Sequence, residues 1–195
     1  MRRIRLALLA PLALALTGCG YNTIQKFDEQ AQAAKQQIEV QLQRRADLIP
    51  NLVNVVKGFA QQEQEVFTKV AAARAGLLGA VKGGDPAQMA DANQALTSAL
   101  GRLMVVAEAY PQLKSDQSFL RLQDELTGTE NRIAVSRTDY NGAVQSYNTY
   151  IRTFPAVLTA KVTGAKERTY FEVTNASARE VPAVDFSKPA APKQP

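Results

Sequence analysis

Apolar residues recur every three or four positions along four stretches of the chain, with polar residues between them. This spacing places the apolar side chains on one face of an α-helix, so it predicts an all-α protein built from long amphipathic helices. The four predicted helices span residues 21–44, 47–79, 85–110 and 115–154.

Three of the predicted boundaries rest on helix start and stop signals. Gly79 to Gly84 ends the second helix, and Asp85-Pro86 opens the third with an N-cap residue followed by Pro at the first helical position. Tyr110-Pro111 ends the third helix because the residue before Pro avoids the helical region, and Ser115-Asp116 starts the fourth.

The boundary between the first two helices depends on Pro50. Inside a helix, Pro costs about 3 kcal/mol, whereas in a first turn its missing N–H is not needed. With Asp47 as N-cap and Arg44-Arg45 in the preceding last turn, the sequence predicts one helix ending and another beginning here. The apolar stripe nevertheless stays in phase from Leu42 through Ile49, so one continuous helix kinked at Pro50 is the alternative.

The first nineteen residues have the composition of an export signal. Three Arg precede an eleven-residue apolar run from Leu6 to Leu16, which is shorter than the roughly 20 residues that span a membrane. Leu16-Thr17-Gly18-Cys19 resembles a bacterial lipobox, which implies acylation of the Cys19 thiol and removal of residues 1–18. Gly20 follows Cys19, and by resemblance to lipoprotein sorting signals it favours the outer membrane in a host with two membranes.

The rest of the chain divides into three predicted parts. Residues 19–160 form the helical bundle domain, and residues 161–186 lose the helical periodicity. The β-prone segments Arg168 to Val173 and Val181 to Phe186 are predicted to be extended and packed on the bundle. Residues 187–195, with three Pro and no large apolar side chain, are predicted to be disordered.

Composition excludes several classes of chemistry. The chain has no His and one Cys, so His-based triads, His-metal sites and internal disulfides are excluded, and no cofactor or metal is expected. Without residues 1–18 the chain keeps 20 basic and 18 acidic residues, so its charge does not indicate a nucleic-acid partner. Glu130 and Arg137, seven residues apart, lie on or beside the fourth helical stripe, where they are expected to be paired at the seam of the bundle or held at its edge. An acid-base role for Glu130 is the alternative, and it needs a cleft and a partner base.

Several long segments resemble the LemA family of bacterial envelope proteins. They are Val40 to Glu63, Ala73-Arg74, Leu126 to Asn148, Phe154-Pro155 and Tyr170 to Glu172. The resemblance implies an antiparallel up-and-down four-helix bundle close to a membrane, and it carries no enzyme activity or catalytic residue. Relatives commonly keep an N-terminal transmembrane helix, whereas this chain has a short signal and a lipobox. The expected means of anchoring therefore differs from that of the family.

Two functions are compatible with the sequence. The favoured hypothesis is a non-enzymatic, lipid-anchored bundle that binds or scaffolds unidentified envelope proteins, with the membrane reached through acylated Cys19. The alternative is a cell-wall polymer hydrolase, which needs two carboxylates facing each other across a cleft. The candidate carboxylates for that alternative are Asp116, Asp124, Glu125, Glu130 and Asp139.

The predicted helix order also suggests where partners bind. An upright first helix of roughly 24 residues places Arg44 on the order of 36 Å from the bilayer. The predicted junction at Arg44, Arg45 and Asp47 then shares the distal end of the bundle with Tyr110 to Asp116. We identify Arg44, Arg45 and Asp47 as the candidate interaction surface, with helix capping as their alternative role.

Overall fold

The computed structural model describes the backbone of residues 2–174 and the side chains of residues 20–174. Six helices account for most of this part of the chain, and residues 165–174 form a segment without helix or strand structure that we call the strap. The helices are α1 (Arg2–Phe59), α2 (Gln64–Gly83), α3 (Pro86–Glu108), α4 (Pro111–Lys114), α5 (Gln117–Arg152) and α6 (Ala156–Thr163).

Contacts along α1 show that the four long helices alternate in direction. Lys57 lies over the ring of Phe67, whereas Ala46 contacts Arg74, so α2 runs antiparallel to α1. Arg45 contacts Asn93 and Gln62 contacts Tyr110, so α3 runs parallel to α1. The pairs Arg45 with Glu130 and Ile24 with Tyr147 make α5 antiparallel to α1. The predicted all-α bundle is therefore confirmed.

The predicted break between residues 44 and 47 is wrong. Helix α1 continues without interruption through Pro50 to Phe59, and the chain reverses at Ala60 to Glu63 instead. Asp47 is therefore not an N-cap, and its side chain accepts a hydrogen bond from Gln43 Nε2 at 2.9 Å, one turn earlier in the same helix. The alternative of one helix containing Pro50 is the correct one.

A side chain from α2 explains how α1 tolerates Pro50. In a helix the carbonyl of Ala46 would accept from the N–H of residue 50, which Pro lacks. Arg74 Nε donates to the Ala46 carbonyl oxygen at 2.8 Å and supplies the missing bond. The cost of Pro50 is thus offset by a tertiary contact, which the local sequence does not reveal.

The predicted start signals at Asp85-Pro86 and Asp116 are confirmed. The predicted end of the second helix at Gly79 is wrong, because α2 continues to Gly83, and Pro111–Lys114 form a short helix that was not predicted. Gly84 ends α2 in the left-handed conformation with φ 71°, which glycine adopts without a Cβ penalty. The Asp85 carboxylate caps α3 by accepting from the N–H of Ala87 at 2.8 Å, and Pro86 is its first residue. Asp116 caps α5 by accepting from the N–H of Phe119 at 2.9 Å.

The core has two regions, because α1 and α5 extend beyond the turn between α2 and α3. The main core joins α1, α2, α3 and α5 with α4 and Phe171 of the strap, and its fully buried large residues include Leu42, Ile49, Leu52, Leu77, Met89, Leu96, Leu103, Leu113 and Tyr140. Beyond the α2–α3 turn, α6 packs against α1 and α5 in place of α2 and α3. The three helices form a second cluster of Ile24, Tyr147, Ile151 and Ala160. Ile24 near the start of the described side chains and Tyr147 of α5 therefore lie at the same end of the bundle.

The structure describes only part of the C-terminal segment for which the sequence makes predictions. Residues 165–174 have neither helical nor strand structure, and Arg168 and Phe171 bind side chains of α5. Residue 161 belongs to α6, so the periodicity ends three residues later than predicted. Val181 to Phe186 and the tail at residues 187–195 lie outside the described residues.

Candidate functional site

Arg45 is at the centre of a polar cluster inside the bundle. Its residue is 4% exposed, and its guanidinium forms an ion pair with Glu130 of α5. It also donates to Asn93 Oδ1 at 2.6 Å and to Thr97 Oγ1 at 3.1 Å, both on α3. Arg45 therefore ties α1 to α3 and α5 at one level, and its role is to hold the helices together.

Burial changes the electrostatics of this cluster. Desolvation lowers the pKa of the Arg45 guanidinium, and the nearby Glu130 carboxylate opposes that shift. An Arg side chain still keeps its charge in proteins, so its hydrogen bonds are charge-assisted. The structural pairing expected for Glu130 is confirmed, but its partner is Arg45 of α1, whereas Arg137 is exposed.

A groove opens between α3 and α5 beside this ion pair, with a volume of about 320 Å³. Its lining residues are Arg45, Thr97, Leu100, Met104, Gln123, Leu126, Thr127, Glu130 and Asn131. Of the five carboxylates proposed for the hydrolase alternative, Glu130 lines this groove and the other four do not. The paired-carboxylate geometry is therefore not formed in this groove.

A second and larger groove runs along α1 on the side that faces α2, with a volume of about 710 Å³. Val40, Leu48 and Val81 supply its apolar surface, and Gln36, Glu39, Gln43, Arg44 and Asp47 complete its lining. We call it the α1–α2 groove. Charges of both signs therefore border an apolar surface, and Val40 is 58% exposed there.

The three predicted surface residues do not share one environment. Arg44 and Asp47 are exposed and line the α1–α2 groove, whereas Arg45 points into the bundle. Their predicted place at the distal end is wrong, since Arg45 lies level with Asn93 and Glu130. The end of the bundle beside Tyr110 is formed by the turn at residues 60–63.

Two asparagines of α5 hold the strap to the bundle. Asn148 donates to the Arg168 carbonyl at 2.9 Å and accepts from the Arg168 N–H at 2.8 Å. Asn141 likewise donates to the Phe171 carbonyl at 3.3 Å and accepts from the Phe171 N–H at 2.9 Å. Each amide thus satisfies a backbone residue as a neighbouring β-strand would. The sequence signal for these clamps, two Asn seven residues apart on one helix, was missed.

Further contacts secure the same segment. Arg168 Nε donates to Asp28 Oδ1 at 2.8 Å, and this hydrogen bond raises the pKa of the guanidinium. The Tyr140 hydroxyl donates to the Thr169 carbonyl at 2.7 Å. Burial raises the pKa of Tyr140, so the phenol remains a protonated donor at neutral pH. The strap is therefore an integral part of the fold.

Within the part of the chain whose side chains are described, no helix has an apolar stretch long enough to cross a membrane. The same residues contain no group of His, Cys, Asp or Glu suited to hold a metal ion. The side chain of Cys19 lies outside this part, so the lipobox stays a prediction.

The fold and its surfaces define a class of protein, an all-α helical bundle with a buried ion pair between α1 and α5 and a charge-bordered groove along α1. Comparison with known proteins adds the family. The sequence profile of the LemA family matches residues 34–186, and the chain belongs to this family.

Magnetosome proteins are among its similar relatives. Magnetosome proteins MamQ 1 and MamQ 2 of Paramagnetospirillum magneticum are each 33% identical over 177 residues, covering 78% of this chain and 64% of the relative. Magnetosome protein MamQ of Magnetospirillum gryphiswaldense is 30% identical over 174 residues, covering 77% of this chain and 64% of the relative. The chain thus spans 64% of the length of these relatives.

Proposed function

We propose that this LemA-family protein is a lipid-anchored helical bundle of the cell envelope that binds or scaffolds other envelope proteins and catalyses no reaction. The α1–α2 groove is the observation that carries the proposal. An apolar centre with a charged rim is the usual anatomy of a protein interface. Here Val40, Leu48 and Val81 form the apolar centre, and Glu39, Arg44 and Asp47 form the rim.

The shape of this groove favours an amphipathic helix as the occupant. Val40 and Leu48 lie eight residues apart on α1, about 12 Å at the rise of an α-helix. A partner helix placed along α1 would cover both with residues spaced three, four and seven apart. Its flanks would carry a basic residue for Glu39 or Asp47 and an acidic residue for Arg44, because the rim presents both signs.

The anchor determines where this groove sits. With Cys19 acylated, Val40 lies 21 residues further along α1, or about 32 Å from the lipid attachment if the helix stands upright. The groove would then face proteins that project from or lie near the membrane, on the periplasmic face of the outer membrane in a host with two membranes. Two or three acyl chains supply the stable attachment that a single chain does not.

A photocrosslinking residue in place of Gln43, on the groove rim, tests the interaction. We expect it to form adducts with an envelope protein in intact cells, through an amphipathic helical segment of that protein. Val40→Lys should abolish these adducts, because a charge in the apolar centre loses its hydration on binding. Val135→Lys is the matched control, since Val135 is 62% exposed on α5 and should leave the adducts unchanged.

Absence of adducts at Gln43, or equal loss with both Lys variants, would reject the groove as the binding surface. Adducts that map to an extended or disordered segment would reject the helical occupant.

The anchor has its own test. Cys19→Ala should abolish fatty-acid labelling and move the protein out of the membrane fraction, because Cys19 is the single thiol of the chain. Asn22→Ala, three residues further on, should remain labelled and membrane-bound. A labelled Cys19→Ala variant would show that the lipobox interpretation is wrong.

A further inference from the structure

Helix α6 distributes its apolar side chains in the opposite way from an ordinary surface helix. Its buried residues are small, since Ala156 and Ala160 are the ones that the bundle covers. Its larger residues point outward, with Leu158 56% exposed and Val162 88% exposed. At about 3.6 residues per turn, the two pairs lie on opposite sides of the helix. Within the part of the chain whose side chains are described, the bundle therefore leaves the more apolar side of α6 uncovered.

An exposed aromatic residue enlarges this surface. Phe154, just before α6, is 76% exposed. We call Phe154, Leu158 and Val162 together the α6 face. Tyr21, which is 45% exposed, lies at the same end of the bundle. Large exposed apolar surfaces mark contacts with proteins or membranes, so the α6 face needs an occupant.

The contact between α6 and α1 places this face beside the predicted lipid attachment. A Cβ atom at Gly20 would lie 3.1 Å from the Thr159 Oγ1 atom, so the two helices touch at that level. Cys19 directly precedes Gly20 in α1. An α-helix with its side chains is about 10–12 Å wide, so acyl chains on Cys19 would enter the bilayer within about one helix width of α6.

The charges around α6 suit an anionic membrane surface. From residue 152 to residue 168 the chain has four basic residues and one acidic residue. The acidic residue, Glu167, is already paired with Arg152 at 3.6 Å. Lys161 and Lys166 are exposed beside the α6 face. Apolar residues flanked by lysines are typical of helices that lie in the lipid headgroup region, where the lysines attract anionic lipids.

We propose that the α6 face inserts into the headgroup region of an anionic membrane, with Lys161 and Lys166 on the phospholipid headgroups. Acyl chains on one residue hold the bundle at the membrane but leave its tilt free. A second contact through α6 restricts that tilt and so fixes the direction in which the α1–α2 groove faces. This inference depends on the membrane anchor of the proposed function and adds a contact between the folded bundle and the lipid.

Tryptophan fluorescence can test this contact, because the chain contains no Trp. The full, membrane-anchored chain carrying Val162→Trp is reconstituted into vesicles of phosphatidylethanolamine and phosphatidylglycerol with bromine on the upper acyl chain. We expect quenching of about half the fluorescence relative to unbrominated vesicles, because an interfacial helix buries its apolar face about 5–10 Å deep.

Val105→Trp is the matched control for this measurement. Val105 is 67% exposed on α3, which runs parallel to α1 with Asn93 level with Arg45. That level places Val105 about 50 Å further along the bundle than Gly20, so its Trp should not be quenched. Equal quenching at the two positions would overturn the assignment of the contact to α6.

A charge on the α6 face should release the contact. Leu158→Asp in the Val162→Trp chain should remove most of the quenching, because an acid there is repelled by anionic headgroups and loses its hydration on insertion. Leu158 is more than half exposed, so the bundle does not need it for folding. Val135→Asp, on an exposed position of α5, should leave the quenching unchanged.

The outcomes separate this contact from the lipid anchor. Absence of quenching at position 162 in a chain that stays on the vesicles would reject the α6 contact alone. A chain that leaves the vesicles would reject the anchor and the α6 contact together. An unquenched Trp at position 162 that crosslinks to a second copy of the chain would assign the α6 face to a protein contact and overturn the proposal.

Discussion

Arg45→Ala is expected to lower the free energy of unfolding by about 3 kcal/mol, because it leaves buried polar partners without a donor. Asn93 is buried and accepts from Arg45 at 2.6 Å, and it has to be satisfied in another way once the guanidinium is gone. The Glu130 side chain is 46% exposed and can regain water, which keeps the loss at the low end of the range for a broken buried ion pair. Urea unfolding followed by circular dichroism measures the change.

Arg44→Ala is the matched control for this experiment. The two arginines are adjacent, yet Arg44 is exposed on the α1–α2 groove, so its replacement should change stability by less than about 0.5 kcal/mol. Equal effects of the two substitutions would contradict the structural role of Arg45. The same pair of variants distinguishes partner binding from stability in the crosslinking experiment. Arg44→Ala removes a charge from the rim of the groove and preserves the fold, whereas Arg45→Ala destabilises the fold.

Arg74→Met is expected to cost about 2 kcal/mol, because it leaves the Ala46 carbonyl without a donor inside α1. In a Pro50→Ala background the same substitution should cost less than about 0.5 kcal/mol, because the N–H restored at position 50 bonds that carbonyl. A double-mutant cycle on these two positions therefore yields a coupling free energy above about 1 kcal/mol.

Arg102→Met controls for the general loss of an exposed arginine, since Arg102 is exposed on α3. It should show no coupling to Pro50→Ala. Additive effects of Arg74→Met and Pro50→Ala would show that Arg74 does not compensate for the proline.

These two sites explain why α1 can be a single helix. Pro50 and Arg45 both belong to its middle, where a proline and a buried charge would each disfavour an isolated helix. Arg74 from α2 donates to the Ala46 carbonyl that Pro50 leaves without a partner. The buried charge of Arg45 is balanced and hydrogen-bonded by Asn93, Thr97 and Glu130. The uninterrupted α1 carries the α1–α2 groove on one side and the bundle core on the other.

Sequence alone determined the features that depend on local chemistry. Periodic apolar positions predicted the helical class, and the caps at Asp85 and Asp116 and the stop at Gly84 follow from residues that satisfy or end a helix within one turn. The resemblance in Val40 to Glu63 and Leu126 to Asn148 identified the family, which the profile match over residues 34–186 confirms.

Only the tertiary structure decided how α1 passes Pro50, which way Arg45 points and what the strap contacts. The donor that compensates for Pro50 lies 28 residues from Ala46, and the partners of Arg45 lie on α3 and α5. Asn141 and Asn148 bind backbone groups 30 and 20 residues further along the chain. Helix propensity depends only on neighbours within a turn or two, so on that basis Pro50 carries the full cost of a proline inside a helix and a break is predicted. The long-range hydrogen bond from Arg74 to Ala46 offsets this cost, and the helix continues.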